Sequence, residues 1–162
     1  MGELPGFATL VVDKAAIGFA AAHFSILEGG SERIHGHNYH VAVRARGRVG
    51  PGGTVVDFAR LKDALNAECE ALDHRMLVAA ECPDLELRDD PDGGLEVREG
   101  DRRFVFPRDE VCLLPVRNTT CECLAGYFAD RLRSRLGSLP VRLEVTVEES
   151  PGQGVTVTES ER

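Results

Sequence analysis

Two histidines in the segment His35-Gly36-His37 are the clearest candidates for chemistry in this sequence. Residues i and i+2 of a β-strand point to the same face, so both imidazoles would emerge side by side. His23 ends a second strand-like segment and could lie beside them. Three neutral imidazoles can hold Zn²⁺ with one coordination position open, as in catalytic zinc sites. Imidazole also binds iron, copper and nickel, and the alternative is that each ring is simply hydrogen-bonded in the core.

Asp73 and His74 form a second candidate pair, directly after a predicted helix. An aspartate beside a histidine can orient the ring for proton transfer, although neighbours in sequence need not be hydrogen-bonded. The alternative is that His74 only compensates the negative end of the helix dipole.

Glu149 is a candidate for ligand binding because it continues the apolar side of a predicted strand. A carboxylate on the inner face needs a partner, and the amino-pyrimidine edge of a pterin or a guanine would donate hydrogen bonds to it. The alternative is that the strand has ended by this residue and that Glu149 meets water.

Hydrophobic periodicity predicts the elements that position these residues. Five strands are predicted, at residues 7–12, 17–24, 33–46, 141–147 and 155–157. A first helix is predicted after an N-cap at Asp57, with an apolar stripe that begins at Phe58. A second helix is predicted to begin near residues 119–120, where Thr119 and Glu122 fit a capping box, which gives Glu122 an alternative structural role.

Residues 84–114 interrupt this order of strands and helices. The run from Asp89 to Gly94 is typical of a loop, whereas residues 95–97 and 103–106 could pair as a hairpin around Glu99-Gly100-Asp101. The sequence therefore predicts one α+β domain over residues 1–162, with a hairpin inserted near 84–114.

Composition limits the classes of function. The net charge is −8 and the pI is near 5.1, which argues against binding nucleic acid or an anionic membrane. No run approaches the roughly 20 apolar residues of a membrane-spanning helix. The N-terminal MGELPGF lacks the pattern of a signal peptide, and the five cysteines contain no CxxC pair. We therefore expect a cytoplasmic protein with reduced cysteines.

Six short motifs together resemble the 6-pyruvoyl-tetrahydropterin synthase and 6-carboxy-tetrahydropterin synthase family, in the same order and over nearly the whole chain except roughly residues 84–114. They are Phe19-Ala20-Ala21-Ala22-His23, His35-Gly36-His37-Asn38-Tyr39, Val56-Asp57-Phe58, Leu72-Asp73-His74, Thr120-Cys121-Glu122 and Val147-Glu148-Glu149. The resemblance implies the T-fold, in which an antiparallel sheet with the order ββααββ carries its helices on one face. It also implies a homo-oligomer, commonly a hexamer of two trimers, with active sites at the subunit interfaces.

The resemblance assigns a role to each candidate residue. His23, His35 and His37 would hold zinc, and Asp73 and His74 would form a catalytic pair. Three other residues would bind the pterin substrate, with Glu149 at its amino-pyrimidine edge and with Thr120 and Glu122 in the same pocket.

One position departs from the family pattern. The pyruvoyl and carboxy synthases carry a catalytic cysteine four residues before the HGH segment, and here that position is Ser31, a far poorer proton acceptor than a thiolate. The adjacent Glu32 resembles the catalytic acid of a subgroup that cleaves the side chain of 7,8-dihydroneopterin or its triphosphate to 6-hydroxymethyl-7,8-dihydropterin for folate synthesis. The expected function is therefore that of a zinc-dependent lyase, with Glu32 as a catalytic residue.

Two alternatives remain open from the sequence. The chain could make 6-carboxy- or 6-pyruvoyl-tetrahydropterin, with another residue substituting for the cysteine. It could also be a non-catalytic module that binds a pterin or a purine, with Glu32 as an ordinary surface acid.

Overall fold

A computed structural model describes residues 6–159, so the first residues of the N-terminal segment considered above lie outside the described part of the chain. The first five strands are β1 (Phe7–Val12), β2 (Gly18–His23), β3 (Ile26–Leu27), β4 (Gly30–Ser31) and β5 (His35–Arg48). The middle of the chain forms α1 (Phe58–Leu72), β6 (Arg75–Ala79), β7 (Glu86–Asp89), β8 (Gly94–Glu99), β9 (Arg102–Pro107) and β10 (Val111–Leu114). The last elements are α2 (Cys121–Leu136), β11 (Val141–Ser150) and β12 (Gln153–Thr158).

The long strand β5 organises the main sheet. Its first half pairs with β2 and its second half with β1 on the same side, and β11 pairs along its other side. These pairings and that of β12 with β11 are antiparallel, as predicted. The two short strands β6 and β10 extend the sheet beyond β2 in parallel and were not predicted.

Both helices pack on one face of this sheet. The strand residues of one parity point toward them and are almost inaccessible to solvent, as the predicted alternation requires: Tyr39, Val41, Val43, Ala45, Leu143, Val145 and Val147. From the helices, Leu61, Leu65, Leu124 and Phe128 complete the core. Phe58 does not join them, because it lies in the first turn of α1 and is 57% exposed. Its place in the apolar stripe was predicted wrongly.

The helix caps agree with the sequence at two ends, the start of α1 and the end of α2. Asp57 caps α1 by accepting a hydrogen bond from the Ala59 amide, and Gly137 ends α2 with a positive φ of 68°. The N-cap of α2 is Thr120, whose side chain accepts from the Cys123 amide. The capping box of Thr119 and Glu122 was therefore wrong by one residue.

The predicted inserted hairpin is present as β8 and β9, and β7 adds a third antiparallel strand before it. The apolar face of this small sheet carries the fully buried Leu95 and Val97. They pack with Phe24 and with Met76 and Val78, which β6 turns away from the helices. The insert therefore covers part of the outer face of the main sheet, next to the end of β2.

No helix in residues 6–159 combines the length and apolar character that crossing a membrane requires.

Candidate metal centre and active site

Strand register brings the three histidines together. His23 at the end of β2 lies opposite His35 at the start of β5, and His37 follows two residues later on the same face. The ring centroid of His23 is 4.6 Å from that of His35 and 5.3 Å from that of His37. The centroids of His35 and His37 are 4.9 Å apart. One nitrogen from each ring lies within 4.8 Å of the others. This spacing allows all three to reach one ion.

Backbone carbonyls orient two of these rings. Nδ1 of His23 lies 3.1 Å from the carbonyl oxygen of Thr119, and Nδ1 of His35 lies 2.8 Å from that of Arg33. A carbonyl can only accept, so Nδ1 carries the proton and Nε2 of the neutral ring keeps its lone pair. Nε2 of His23 is buried and has no hydrogen-bond partner among the described residues. An unpaired buried acceptor in this position fits a metal ligand.

Electrostatics favour the neutral form that a metal needs. Burial lowers the pKa of His23, and the neighbouring rings of His35 and His37 lower it further. His40 differs from these three, because it lies at a position of opposite parity in β5. Its ring lies on the other face of β5, where Nε2 is 2.8 Å from Asp13 and Nδ1 is 3.0 Å from the carbonyl oxygen of Ile17.

The three histidines open onto a cavity of about 480 Å³. Its other polar lining residues include Ser25, Glu32, Thr120, Cys121, Glu122, Glu149 and Gln153. The structure therefore brings seven of the nine predicted site residues to one cavity. Asp73 and His74 are not among its lining residues.

Glu32 is held at this cavity by Ser25. The backbone amide of Glu32 donates to the Ser25 carbonyl at 2.9 Å, and the Glu32 carboxylate accepts from the Ser25 amide at 3.3 Å. The neighbouring Ser31 does not line the cavity, because its hydroxyl donates to the Glu99 carboxylate. The acid, not the serine, faces the histidines.

Glu149 reaches the cavity through a β-bulge. The register between β11 and β12 shifts between Glu148 and Ser150, which leaves Glu149 as the extra residue, and such bulges re-aim side chains. Its Oε2 lies 4.0 Å from Nε2 of His37 and accepts from Sγ of Cys121 at 3.7 Å. The predicted inward orientation of Glu149 is present, although the strand is irregular at this residue.

Two further residues belong to this site and were not singled out from the sequence. Burial and then the charge of Glu149 raise the pKa of the Cys121 thiol to about 11. Tyr39 is 3% exposed, its ring contacts those of His23 and His37, and burial raises its pKa. The Tyr39 hydroxyl has no hydrogen-bond partner within residues 6–159. Both residues stand in the motifs quoted above. Tyr39 follows His37 by two residues, and Cys121 lies between Thr120 and Glu122.

Asp73 and His74 form a hydrogen-bonded pair elsewhere on the sheet. Asp73 accepts from the Ala20 amide and from Nδ1 of His74, both at 2.8 Å, and these contacts lower its pKa. His74 adopts a left-handed conformation with φ of 57°, and its side chain is 83% exposed. His74 borders a separate depression together with Gly36, His37 and Asn38. Neither Asp73 nor His74 lines the histidine cavity of its own chain.

Comparisons with known proteins agree with this architecture. A sequence model of the family described as 6-pyruvoyl tetrahydropterin synthase matches residues 14–160. A protein from Methanocaldococcus jannaschii, named as a candidate 6-carboxy-5,6,7,8-tetrahydropterin synthase, is 33% identical over 147 residues, which cover 86% of this chain and 88% of that relative.

Solved structures extend the agreement to the fold. The 6-pyruvoyl tetrahydropterin synthase of Plasmodium vivax superposes with a TM-score of 0.89 at 30% identity, over 96% of this chain and 99% of that chain. That of Plasmodium falciparum gives a TM-score of 0.90 at 27% identity, over 97% and 100%. Two further P. vivax structures are variants in which a catalytic glutamate is replaced by alanine or cysteine. These matches confirm the predicted T-fold, and the chain belongs to the 6-pyruvoyl tetrahydropterin synthase family.

Proposed function

We propose that this protein is a zinc-dependent lyase that cleaves the side chain of 7,8-dihydroneopterin, or of its triphosphate, to 6-hydroxymethyl-7,8-dihydropterin in folate and pterin biosynthesis. The observation that carries the proposal is the position of Glu32 at the same cavity as His23, His35 and His37, while Ser31 is turned away. A catalytic glutamate in the related P. vivax enzyme supports the same interpretation.

His23, His35 and His37 are the proposed metal ligands, with the Nδ1 contacts of His23 and His35 fixing the rings. Three imidazoles with an open cavity beside them are typical of catalytic zinc. Zinc bound there would supply a Lewis acid toward the side-chain hydroxyls of the substrate.

Glu149 would bind the amino-pyrimidine edge of the pterin, because a carboxylate accepts hydrogen bonds from an amino group and a ring N–H together. Its contact with Cys121 and its place in the bulge set the direction of the carboxylate. Thr120 and Glu122 line the same side of the cavity and would contact the substrate.

The reaction needs a proton acceptor and a proton donor. Glu32 would take the proton of the second side-chain hydroxyl. The bond between the first and second side-chain carbons then breaks, a carbonyl forms in the leaving glycolaldehyde fragment, and the electron pair moves into the ring as an enamine. A proton returned to the first side-chain carbon gives the hydroxymethyl product. General acid–base catalysis of this kind contributes roughly 10²- to 10⁴-fold to a rate.

The Asp73–His74 pair is proposed to supply that proton from a second copy of the chain. Its exposed imidazole does not line the cavity of its own chain, which favours a site that a neighbouring protomer completes. We propose a homohexamer of two trimers, located in the cytoplasm, as the assembly that brings the two together.

A second candidate function is synthesis of 6-carboxy- or 6-pyruvoyl-tetrahydropterin from dihydroneopterin triphosphate. The names of the archaeal and Plasmodium relatives favour it. Against it stands the serine at the cysteine position, since its hydroxyl is hydrogen-bonded to Glu99. A non-catalytic pterin-binding module would keep the cavity and the metal but give no turnover.

Product analysis separates the three functions. The zinc-loaded protein is incubated with dihydroneopterin and, separately, with its triphosphate, and the products are identified by mass spectrometry. We expect 6-hydroxymethyl-7,8-dihydropterin with glycolaldehyde or its phosphorylated form. Acetaldehyde or a pyruvoyl product would favour the second function, and binding without turnover would favour the module.

Glu32→Gln should lower kcat by about 10²- to 10⁴-fold with the metal retained. Glu28→Gln is the matched control, because Glu28 lies exposed in the preceding turn and does not line the cavity. Equal turnover of the two variants would refute the role of Glu32.

A further inference from the structure

Residues at the turn of the inserted hairpin form hydrogen bonds with the loop that carries Glu32. Glu99, at the end of β8, accepts hydrogen bonds from the backbone amide of Ser31, at 3.2 Å, and from its hydroxyl. Arg102, at the start of β9, directs Nη1 to the carbonyl oxygens of Ser31 and Glu32, both at 3.0 Å, and also donates to the Ser31 hydroxyl. Two charged side chains of the insert thus enclose one short stretch of backbone.

The hairpin is a firm support for this contact. The Arg102 guanidinium lies 5.0 Å from the centre of the Phe104 ring. Nη1 of Arg102 also forms an ion pair with the Glu99 carboxylate at 3.8 Å. Phe104 in turn stacks at 5.6 Å on Phe24, the residue after His23. The insert is therefore packed against the chain segment that supplies one of the three histidines.

The Glu32 loop needs such a support from outside. It follows Gly29 and Gly30, which both have positive φ values, and β3 and β4 pair through only two residues each. Within residues 6–159, the other hydrogen bonds of Glu32 are its backbone and side-chain contacts with Ser25. Without Glu99 and Arg102, the carboxylate would depend on these contacts alone.

We propose that Glu99 and Arg102 are positioning residues that hold the Glu32 carboxylate at the histidine cavity. The inference rests on the proposed function, because it assigns to Glu32 a reaction that requires placement. The hydroxyl of Ser31 both donates to Glu99 and accepts from Arg102, so it anchors the loop and takes no part in the chemistry. The insert near residues 84–114 thereby gains a role, as a brace for the catalytic loop.

Kinetics of hairpin variants test the proposal in the zinc-loaded protein. Misplacement of a reacting group by about 1 Å costs on the order of 10²-fold in rate, so we expect Arg102→Ala to lower kcat about 10- to 100-fold with KM and zinc content little changed. Arg102→Lys should recover part of the rate, and Ser31→Ala, which removes one hydroxyl, should lose less. Arg98→Ala is the control, because it breaks an ion pair with Glu96 in the same hairpin without touching the loop.

Amide hydrogen exchange gives a readout that is independent of turnover. The peptide spanning residues 25–34 should exchange faster in Arg102→Ala than in wild type or Arg98→Ala. In a Glu32→Gln background, Arg102→Ala should cause little further loss of kcat, because the group it positions is already absent.

The possible failures are distinguishable. If the wild type turns over and Arg102→Ala changes neither loop exchange nor kcat, or lowers kcat no more than Arg98→Ala does, the positioning role is overturned and the proposed function stands. If the wild type turns over no dihydropterin, the proposed function fails and the positioning role fails with it, whatever the exchange shows.

Discussion

The backbone carbonyl oxygen of Thr119 lies 3.1 Å from Nδ1 of His23, although 96 residues separate the two in sequence. The Thr119 hydroxyl donates to the carbonyl oxygen of Phe24 at 2.8 Å and lies 3.3 Å from the same ring nitrogen. The residue before the cap of α2 therefore fixes both the tautomer and the orientation of a histidine at the end of β2. Thr119 is 1% exposed, so this contact is shielded from competing water.

Thr119→Val keeps the backbone carbonyl that contacts His23 but removes the hydroxyl that lies beside the same ring nitrogen and donates to the Phe24 carbonyl. It should weaken zinc binding about tenfold, the lower end of the roughly 10- to 100-fold that outer contacts of a histidine ligand contribute to metal affinity. Competition with a chromogenic chelator measures this effect. Thr146→Val serves as control, since it removes a threonine pair with Thr156 on the exposed face of β11. The same affinity in both variants would contradict a role of the Thr119 hydroxyl in orienting His23.

His37→Ala should lose most of the bound zinc while the proposed oligomer stays intact, because removal of one of three ligands weakens the site and strand pairing holds the sheet. Elemental analysis after size-exclusion chromatography measures both. His40→Ala is the matched histidine control and should retain zinc, since His40 contacts Asp13 and the Ile17 carbonyl on the other face. Full metal retention in His37→Ala would rule out the three-histidine assignment.

Cys121 should react slowly with iodoacetamide, although it lies in the cavity. With a thiol pKa of about 11, its thiolate fraction at pH 7.5 is roughly a hundredfold or more below that of a free cysteine. Because a raised pKa keeps the thiol protonated until high pH, the labelling rate should rise up to about pH 11. Peptide mass spectrometry of metal-free protein between pH 7 and 11 measures it. Labelling as fast as free cysteine would show a thiolate and make Cys121 a candidate base.

Removing the two arginines that pair with Glu68 should destabilise the protein more than neutralising Glu68 itself. It is fully buried and receives Arg131 at 3.0 Å and Arg135, whose side chains are 48% and 42% exposed. Removing both arginines leaves an uncompensated buried carboxylate, so the double alanine variant should lose about 3–5 kcal/mol in free energy of unfolding.

Glu68→Gln should cost roughly half of that or less, because the two arginines can turn to water and the amide can still hydrogen-bond. Urea unfolding at one protein concentration compares the variants, since oligomerisation also changes apparent stability. A larger loss in Glu68→Gln than in the double variant would contradict this account.

The parts of the fold whose apolar residues recur with a clear strand or helix period could be predicted from the sequence. The alternation along β5 and β11 and the stripes of the helices determined the sheet, its buried face and the common face of His35 and His37. By sequence, the capping box with Glu122 favoured Thr119 over Thr120 as the cap of α2, and only the buried contact of Thr119 with Phe24 explains why Thr120 is the cap. Local patterns do not include such long-range contacts.

The parallel strands β6 and β10 were missed for a similar reason. Arg75–Ala79 is a short apolar run directly after a helix, and its partners in the sheet lie far away in sequence. The three-stranded insert was recognised only as a hairpin, because Glu86–Asp89 is polar and mostly exposed. The hydrogen bonds of Glu99 and Arg102 with Ser31 join residues about 70 positions apart, and no sequence motif indicates them.

The left-handed backbone conformation of His74 lowers the stability of the fold at a residue that is proposed to take part in catalysis. A non-glycine residue in this conformation costs on the order of 1 kcal/mol or more, which glycine would not incur. His74→Gly should therefore raise the melting temperature, by less than the full backbone cost because the hydrogen bond to Asp73 is lost, and it removes the imidazole proposed above as the proton donor. An enzyme optimised only for thermal resistance would not place histidine there, so a variant library selected for heat tolerance should enrich this substitution and grow progressively less active.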